Sequence, residues 1–273
     1  RGLGDVYKRQ VQEPGTLEVS DVSFAYPGGE KIYEDFNLSA TPGQIIGVTG
    51  AVACGKSTLG KTFLCEYPYE GRICFHGKEL SGMTKAEQNG MVGYLGHDPE
   101  LFNDSVRNNI LLGDDDDPEK YLKAVCFDGE VAEMEEGMDT IVGNGGVRLS
   151  GGQAQRLALA RTLCHKRPVL ILDDPFSALD RKTEEEVFAN LRKLAADSIV
   201  ILLSHRLYLF PEMDQVLWME AGKVTAGTHE QILEKFPEYA RLYEAQADGA
   251  DAHNTQAVSY THLRAHETLR HLV

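Results

Sequence analysis

Apolar residues in this chain fall into two kinds of run. In the first they alternate with polar ones. Leu17-Glu18-Val19-Ser20-Asp21-Val22-Ser23-Phe24-Ala25-Tyr26 has the two-residue period of a strand, and Pro27-Gly28-Gly29 stops it in a turn. A second strand is expected near Lys31 to Ser39, and residues 71–78 read as a hairpin arm. In the second kind the apolar run is unbroken. Residues 44–49, 91–96, 169–172 and 198–203 are short and mostly aliphatic, as strands buried on both faces are. Helices are expected from Thr58, from Ser105, over Ala154–Leu163, from about Lys182 to Ala196, and through Ile232 to about Ala245. A closing hairpin covers Gln215 to Val224, and the polar stretch after Phe102 suits a small helical insertion. The sum is an α/β core beside an antiparallel β layer.

The chemistry begins where the first unbroken run ends. Gly50-Ala51-Val52-Ala53-Cys54-Gly55-Lys56-Ser57-Thr58 follows a strand, precedes a helix and has the spacing G-x-x-x-x-G-K-[ST] of a P-loop. Such a loop aims backbone N–H groups at phosphate oxygens. Lys56 reaches the β/γ-phosphates and the Ser57 hydroxyl can ligate Mg²⁺. The plainer reading is a glycine-rich turn before a helix. Tyr26 ends its strand, either as an edge aromatic or as a platform on which a base stacks.

Further along, Leu149-Ser150-Gly151-Gly152-Gln153 opens a helix and forms a second anion-binding element. Two such elements with one base platform suggest a dimer in which each chain caps the other's nucleotide. The strand Val169–Leu172 ends in Asp173 and Asp174. These are either solvated acids or, beside a P-loop, a Mg²⁺ ligand followed by a residue that orients or deprotonates water. Another buried strand delivers His205 at its carboxyl end, the edge where α/β sheets bind ligands.

Composition narrows the partners. The net charge of −15 argues against a nucleic-acid surface. Asp114-Asp115-Asp116-Asp117 reads as a solvated loop rather than a metal site. The five cysteines form no C-x-x-C pair, which suits a reducing compartment. No apolar stretch approaches the roughly 20 residues of a membrane helix. Residues 1–10 and 258–273 differ in character from the acidic body, resemble linker read-through and are set aside, as is the tail from 248.

These motifs in this order resemble the ATP-binding cassette (ABC) ATPases over nearly all of residues 17–246, within a domain of 11–247. The resemblance implies a P-loop NTPase (RecA-like) core with an antiparallel β subdomain and a helical insertion at about 100–158 carrying the signature. It implies Tyr26 as adenine platform, and Gly50, Ala53, Cys54, Gly55, Lys56, Ser57 and Thr58 as the Walker A loop. Ser150, Gly151, Gly152 and Gln153 form a signature acting in trans, and Asp180 ends the Ser177-Ala178-Leu179-Asp180 segment. His97 falls at the glutamine-loop position, Asp173 and Asp174 at Walker B, and His205 is the switch histidine. ATP and Mg²⁺ are the implied ligands, with Ser57, Asp173 and His97 around the metal and Asp174, His205 and His97 around the reacting water. A second cassette and a transmembrane domain are the implied partners, on the cytoplasmic side of the cell membrane. Exporter-like segments include 98–102, 105–110, 143–146, 227–230 and 242–246.

Three positions depart from the pattern. Ala53 replaces a glycine, tolerable only if φ there is negative. His97 replaces a glutamine, although hard Mg²⁺ prefers oxygen. Asp174 replaces a glutamate and is one methylene short, and a misplacement of roughly 1 Å can cost on the order of 100-fold in rate. With the signature intact, the expectation is an asymmetric dimer: a weakly hydrolytic site here and a signature completing an active site on a partner. The alternatives are neutral variation in an active homodimer, an inert chain, or an ATP-dependent clamp or regulatory module without a transport role.

Overall fold

The computed structural model describes residues 15–143 and 145–247; the linker-like stretches at 1–10 and 258–273 lie outside the described residues. Among the described residues twelve strands and nine α-helices follow in chain order. They are β1 (Leu17–Ala25), β2 (Lys31–Ala40), β3 (Ile45–Gly50), α1 (Lys56–Thr62), β4 (Glu70–Phe75), β5 (Lys78–Glu79), α2 (Lys85–Met91) and β6 (Val92–Leu95). Next come β7 (Asp104–Ser105), α3 (Val106–Leu111), α4 (Pro118–Ala124), α5 (Asp128–Ala132), β8 (Ile141–Val142) and α6 (Gly151–Cys164). The rest are β9 (Val169–Asp173), α7 (Arg181–Leu194), β10 (Ile199–Leu203), β11 (Gln215–Glu220), β12 (Lys223–Gly227) and α8 (His229–Lys235), with α9 over 237–247.

Ten strands form one sheet in the order β5-β4-β1-β2-β12-β11-β3-β10-β9-β6. The unbroken apolar runs supply β3, β10, β9 and β6 of its parallel part, and β11, the first arm of the expected closing hairpin, joins them beside β3. The alternating runs are its antiparallel part, where β1 pairs with β2 and β4. The expected antiparallel layer is therefore no separate body: β12, antiparallel to β11, meets β2 at Lys223 and Glu34 and makes the sheet continuous.

Alternation along each central strand decides which core a residue enters. Leu170 and Leu172 of β9 and Val200 and Leu202 of β10 pack with α6 and α7. Val169, Ile171, Ile199, Ile201 and Leu203 pack on the other side with Leu59 and Phe63 beside the P-loop. All five residues of β9, and all five of β10, are buried. That is why no polar period shows in these runs.

Helix starts follow the capping residues. Thr84, Ser150 and Thr228 each close a reciprocal capping box, and Ser105, Asp117 and Asp180 each accept a first-turn N–H. The C-terminal helix is the main departure. Instead of one helix through Ile232 to Ala245, the chain breaks at Phe236, whose φ of −119° and ψ of 100° are extended. Pro237 follows, and its ring excludes the helical conformation from the residue before it. The second half is anchored separately. Tyr239 is fully buried, meets the Trp218 ring at 5.5 Å, and its hydroxyl lies 2.7 Å from His229 Nδ1.

Candidate phosphate-binding and catalytic site

The carboxyl ends of β3, β6, β9 and β10 lie along one sheet edge, and the candidate residues leave the sheet there. From β3 the loop turns into α1 through Gly55, whose φ of 100° is left-handed. A β-carbon on Gly55 would sit 2.5 Å from Ile32 Cγ2, so only glycine fits. Lys56 is 8% exposed, and its ammonium donates to the carbonyls of Gly50 and Ala51, each at 3.2 Å, and lies 3.8 Å from Cys54 Sγ. The loop therefore curls around its own cation, while Ser57 is exposed in the first turn of α1.

Ala53 corrects the expectation of a negative φ. It sits at φ 62°, in the left-handed region, with its side chain exposed. The closing geometry of the loop sets this torsion, and alanine bears a strain of roughly 1–2 kcal/mol there.

Asp173 ends β9, is nearly buried, and accepts a hydrogen bond from the Tyr94 hydroxyl of β6 at 3.1 Å. Burial beside that carboxylate pushes the Tyr94 hydroxyl pKa up, so it stays a donor. Asp174 also has a left-handed backbone, φ 51°, a region aspartate enters more readily than most side chains. Its N–H donates to Leu203 O at 2.8 Å, which ties the ends of β9 and β10 together. His97 Nδ1 is 4.0 Å from Asp174 Oδ2. Burial raises the Asp174 pKa, opposed by His205, His97 and Arg206. Partial desolvation and then Lys56 lower that of His205, which favours a neutral imidazole. His205 is thus within electrostatic reach of Lys56, Asp173, Asp174 and His97, and Asp174 of Asp173, His97 and His205.

The Ser150–Gln153 element is built differently. Ser150 Oγ accepts the Gln153 N–H at 3.2 Å and Gln153 Oε1 accepts the Ser150 N–H at 2.8 Å. Gln153 Nε2 donates to Glu130, which also pairs with Arg156. A β-carbon on Gly152 would meet Ala178 at 3.2 Å, whereas one on Gly151 would meet nothing within 4 Å. Gly151 leaves room for a close-approaching ligand. Asp180 caps α7 through Thr183 N and Oγ1, which holds its own pKa down. The Tyr26 ring is held edge-on by Phe24 at 5.1 Å and by Tyr67 at 5.3 Å while 38% of the residue stays exposed. It can receive a flat base.

Several residues escape a reading of sequence. Gln155, buried in α6, donates to Asp174 O at 2.8 Å and accepts from Ser177 Oγ at 3.1 Å, linking the helix after the signature to the Walker B turn. Arg206 donates to Ser177 O, Leu179 O and Glu184, the last with a side chain 1% exposed. A lone polar residue among the apolar positions of a helix was the available signal for Gln155; Tyr94 offered none beyond its polar tip.

The donors fit a magnesium nucleotide in part. Asp173 supplies a carboxylate and Ser57 a hydroxyl, the hard oxygens Mg²⁺ takes alongside phosphate and water. The His97 imidazole does not fit that preference. Among the described residues no three His, Cys, Asp or Glu side chains converge on a metal position.

The sequence pattern of the family described as "ABC transporter" matches residues 33–177. The chain is 35% identical over 243 residues to the probable multidrug resistance ABC transporter ATP-binding/permease protein YheI of Bacillus subtilis, covering 86% of this chain and 42% of that protein. It is 38% identical over 242 residues to the ATP-dependent lipid A-core flippase of Pseudomonas syringae, covering 86% and 40%. It thus spans less than half the length of these relatives. A solved structure of a bacterial Atm1-family ABC exporter with ATP bound superposes with a TM-score of 0.80 at 29% identity, covering 89% of this chain and 44% of that one.

Proposed function

The chain belongs to the ABC transporter family, and we propose on that premise that it is the ATP-binding cassette of an exporter, weakly hydrolytic at its own site. Lys56, Asp173, Asp174 and His205 gather at one sheet edge while a separately capped signature presents Gly151 to open space. That division supports the proposal: half of a nucleotide site is assembled at this chain's own sheet edge, and a separately capped half is free to serve another. Lys56 and the loop N–H groups bind phosphate, Tyr26 stacks the base, and Asp173 with Ser57 holds Mg²⁺, which draws charge off the phosphoryl oxygens. Asp174 holds the attacking water and His205 orients the γ-phosphate, while the short Asp174 side chain and the imidazole of His97 slow the step.

Closure against a second cassette follows from nucleotide contacts made only in the closed state. Among the described residues no helix is long and apolar enough to cross a membrane. Peripheral attachment at the cytoplasmic face through a transmembrane domain, on this chain or another, belongs to the same proposal. The test is single-turnover hydrolysis of Mg-ATP by the purified chain over a range of protein concentration, beside equilibrium ATP binding. Tight binding with slow turnover that concentration accelerates little is expected. Fast turnover rising steeply with concentration overturns the weak-site reading in favour of an active homodimer.

A further inference from the structure

The segment that carries His205 is held from two sides. Ser204 N donates to Val48 O at 3.0 Å and Ser204 Oγ accepts the Arg206 N–H at 3.0 Å, so the chain leaves β10 in a fixed turn. Beyond that turn the hold comes from α9. Gln246 Nε2 donates to His205 O at 2.7 Å and Gln246 Oε1 accepts the Leu207 N–H at 2.7 Å. A primary amide carries a donor and an acceptor side by side. Here they match a backbone carbonyl and an N–H two residues apart. Between these contacts the Arg206 side chain donates to Ser177 O at 2.8 Å and Leu179 O at 2.7 Å in the turn before Asp180.

His205 as a whole residue is exposed, and among the described residues no hydrogen bond holds its ring. Its direction is therefore set by the backbone from which it springs. We infer that Gln246 is a positioning residue for His205, its amide gripping the backbone on both sides of Arg206 and fixing the point from which the imidazole leaves the end of β10. The role rests on the functional reading above, because His205 needs a phosphoryl group to act on. Gln246 is separable from the anchoring of α9, which Tyr239 secures against Trp218 and His229. Loss of the amide therefore leaves the helix docked and the segment loose.

The experiment uses the full 273-residue chain and Mg-ATP, with Gln246→Met, His205→Ala and the double variant. Single-turnover rates at saturating ATP and equilibrium ATP affinities are measured for each, with thermal melting as the check on folding. Gln246→Met is expected to slow turnover about 5–10-fold, since small displacements of a catalytic group are costly, with affinity unchanged within about 2-fold. In the His205→Ala background the same change is expected to cost less than about 2-fold, because residues acting through one another are non-additive. An equal loss in both backgrounds, a loss confined to affinity, or no loss beside intact His205 overturns the inference. A wild-type chain that does not bind Mg-ATP overturns the functional reading instead.

Discussion

The two elements proposed to face phosphate are built to opposite tolerances. Around the Walker motifs, Ala53 at φ 62° and Asp174 at φ 51° hold left-handed backbone without glycine, and Asp174 lies partly buried with His97 Nδ1 4.0 Å from its carboxylate. At the signature, Ser150 sits at φ −65° and ψ 162° in a reciprocal capping box, and nothing crowds Gly151. Ala53, His97 and Asp174, the three departures from the family pattern, all fall on the first side. The element expected to serve a partner is relaxed, and the element that would serve this chain's own turnover is strained and chemically altered. Strain at a functional site persists only where the surroundings enforce it. Here Leu203 O on the Asp174 N–H and Gln155 on its carbonyl do so.

The comparison can be sharpened most at Asp174. Asp174→Glu restores the missing methylene and is expected to raise single-turnover hydrolysis by roughly 10–100-fold. The longer side chain is less at ease at positive φ, so melting should drop slightly while the rate rises. An unchanged rate would remove Asp174 as the limiting feature and, with it, the contrast between the two sides. Arg206→Ala tests what joins them. It strips three hydrogen bonds and leaves Glu184 buried beside no cation, which should cost about 2 kcal/mol in denaturant unfolding.

Smaller effects probe each side alone. Ser150→Ala removes the capping box and is expected to cost about 1 kcal/mol of stability, with ATP affinity at this chain's own site unchanged. Loss of that affinity would show that the signature is not reserved for a partner. Ala53→Gly relieves the left-handed strain but frees the unfolded chain, so a net gain of about 0.5 kcal/mol is expected. A loss would mean that the alanine β-carbon makes a contact worth more than the strain.

The pattern of apolar positions carried the fold a long way, because burial on both faces of β9 and β10 leaves runs with no polar interruption. It stopped short where local geometry overrides residue type. Ala53 shows this: alanine prefers negative φ, and the expectation followed the residue while the loop closure decided. Phe236 shows the converse, since Pro237 was visible and its effect on the preceding residue was enough to split the helix. The P-loop, the carboxylates and His205 were legible because each sits at a fixed offset from a strand end. Gln155, Arg206 and Gln246 were not, because their partners lie between 19 and 41 residues away and only the folded chain brings them together.

The sheet order has a consequence for biosynthesis. β3 delivers the P-loop from near the middle of the sheet, yet both its neighbours, β10 and β11, are encoded some 150 residues later. At about 5–20 residues per second, Ile45, Ile46 and Val48 wait roughly 10–30 s after synthesis for the strands that cover them. The nascent chain must shelter its own phosphate-loop strand for that interval. Long-range pairing of this kind makes folding slow, and the hydrogen bonds from Gln246 to the His205 segment must wait for α9, the last of the described helices.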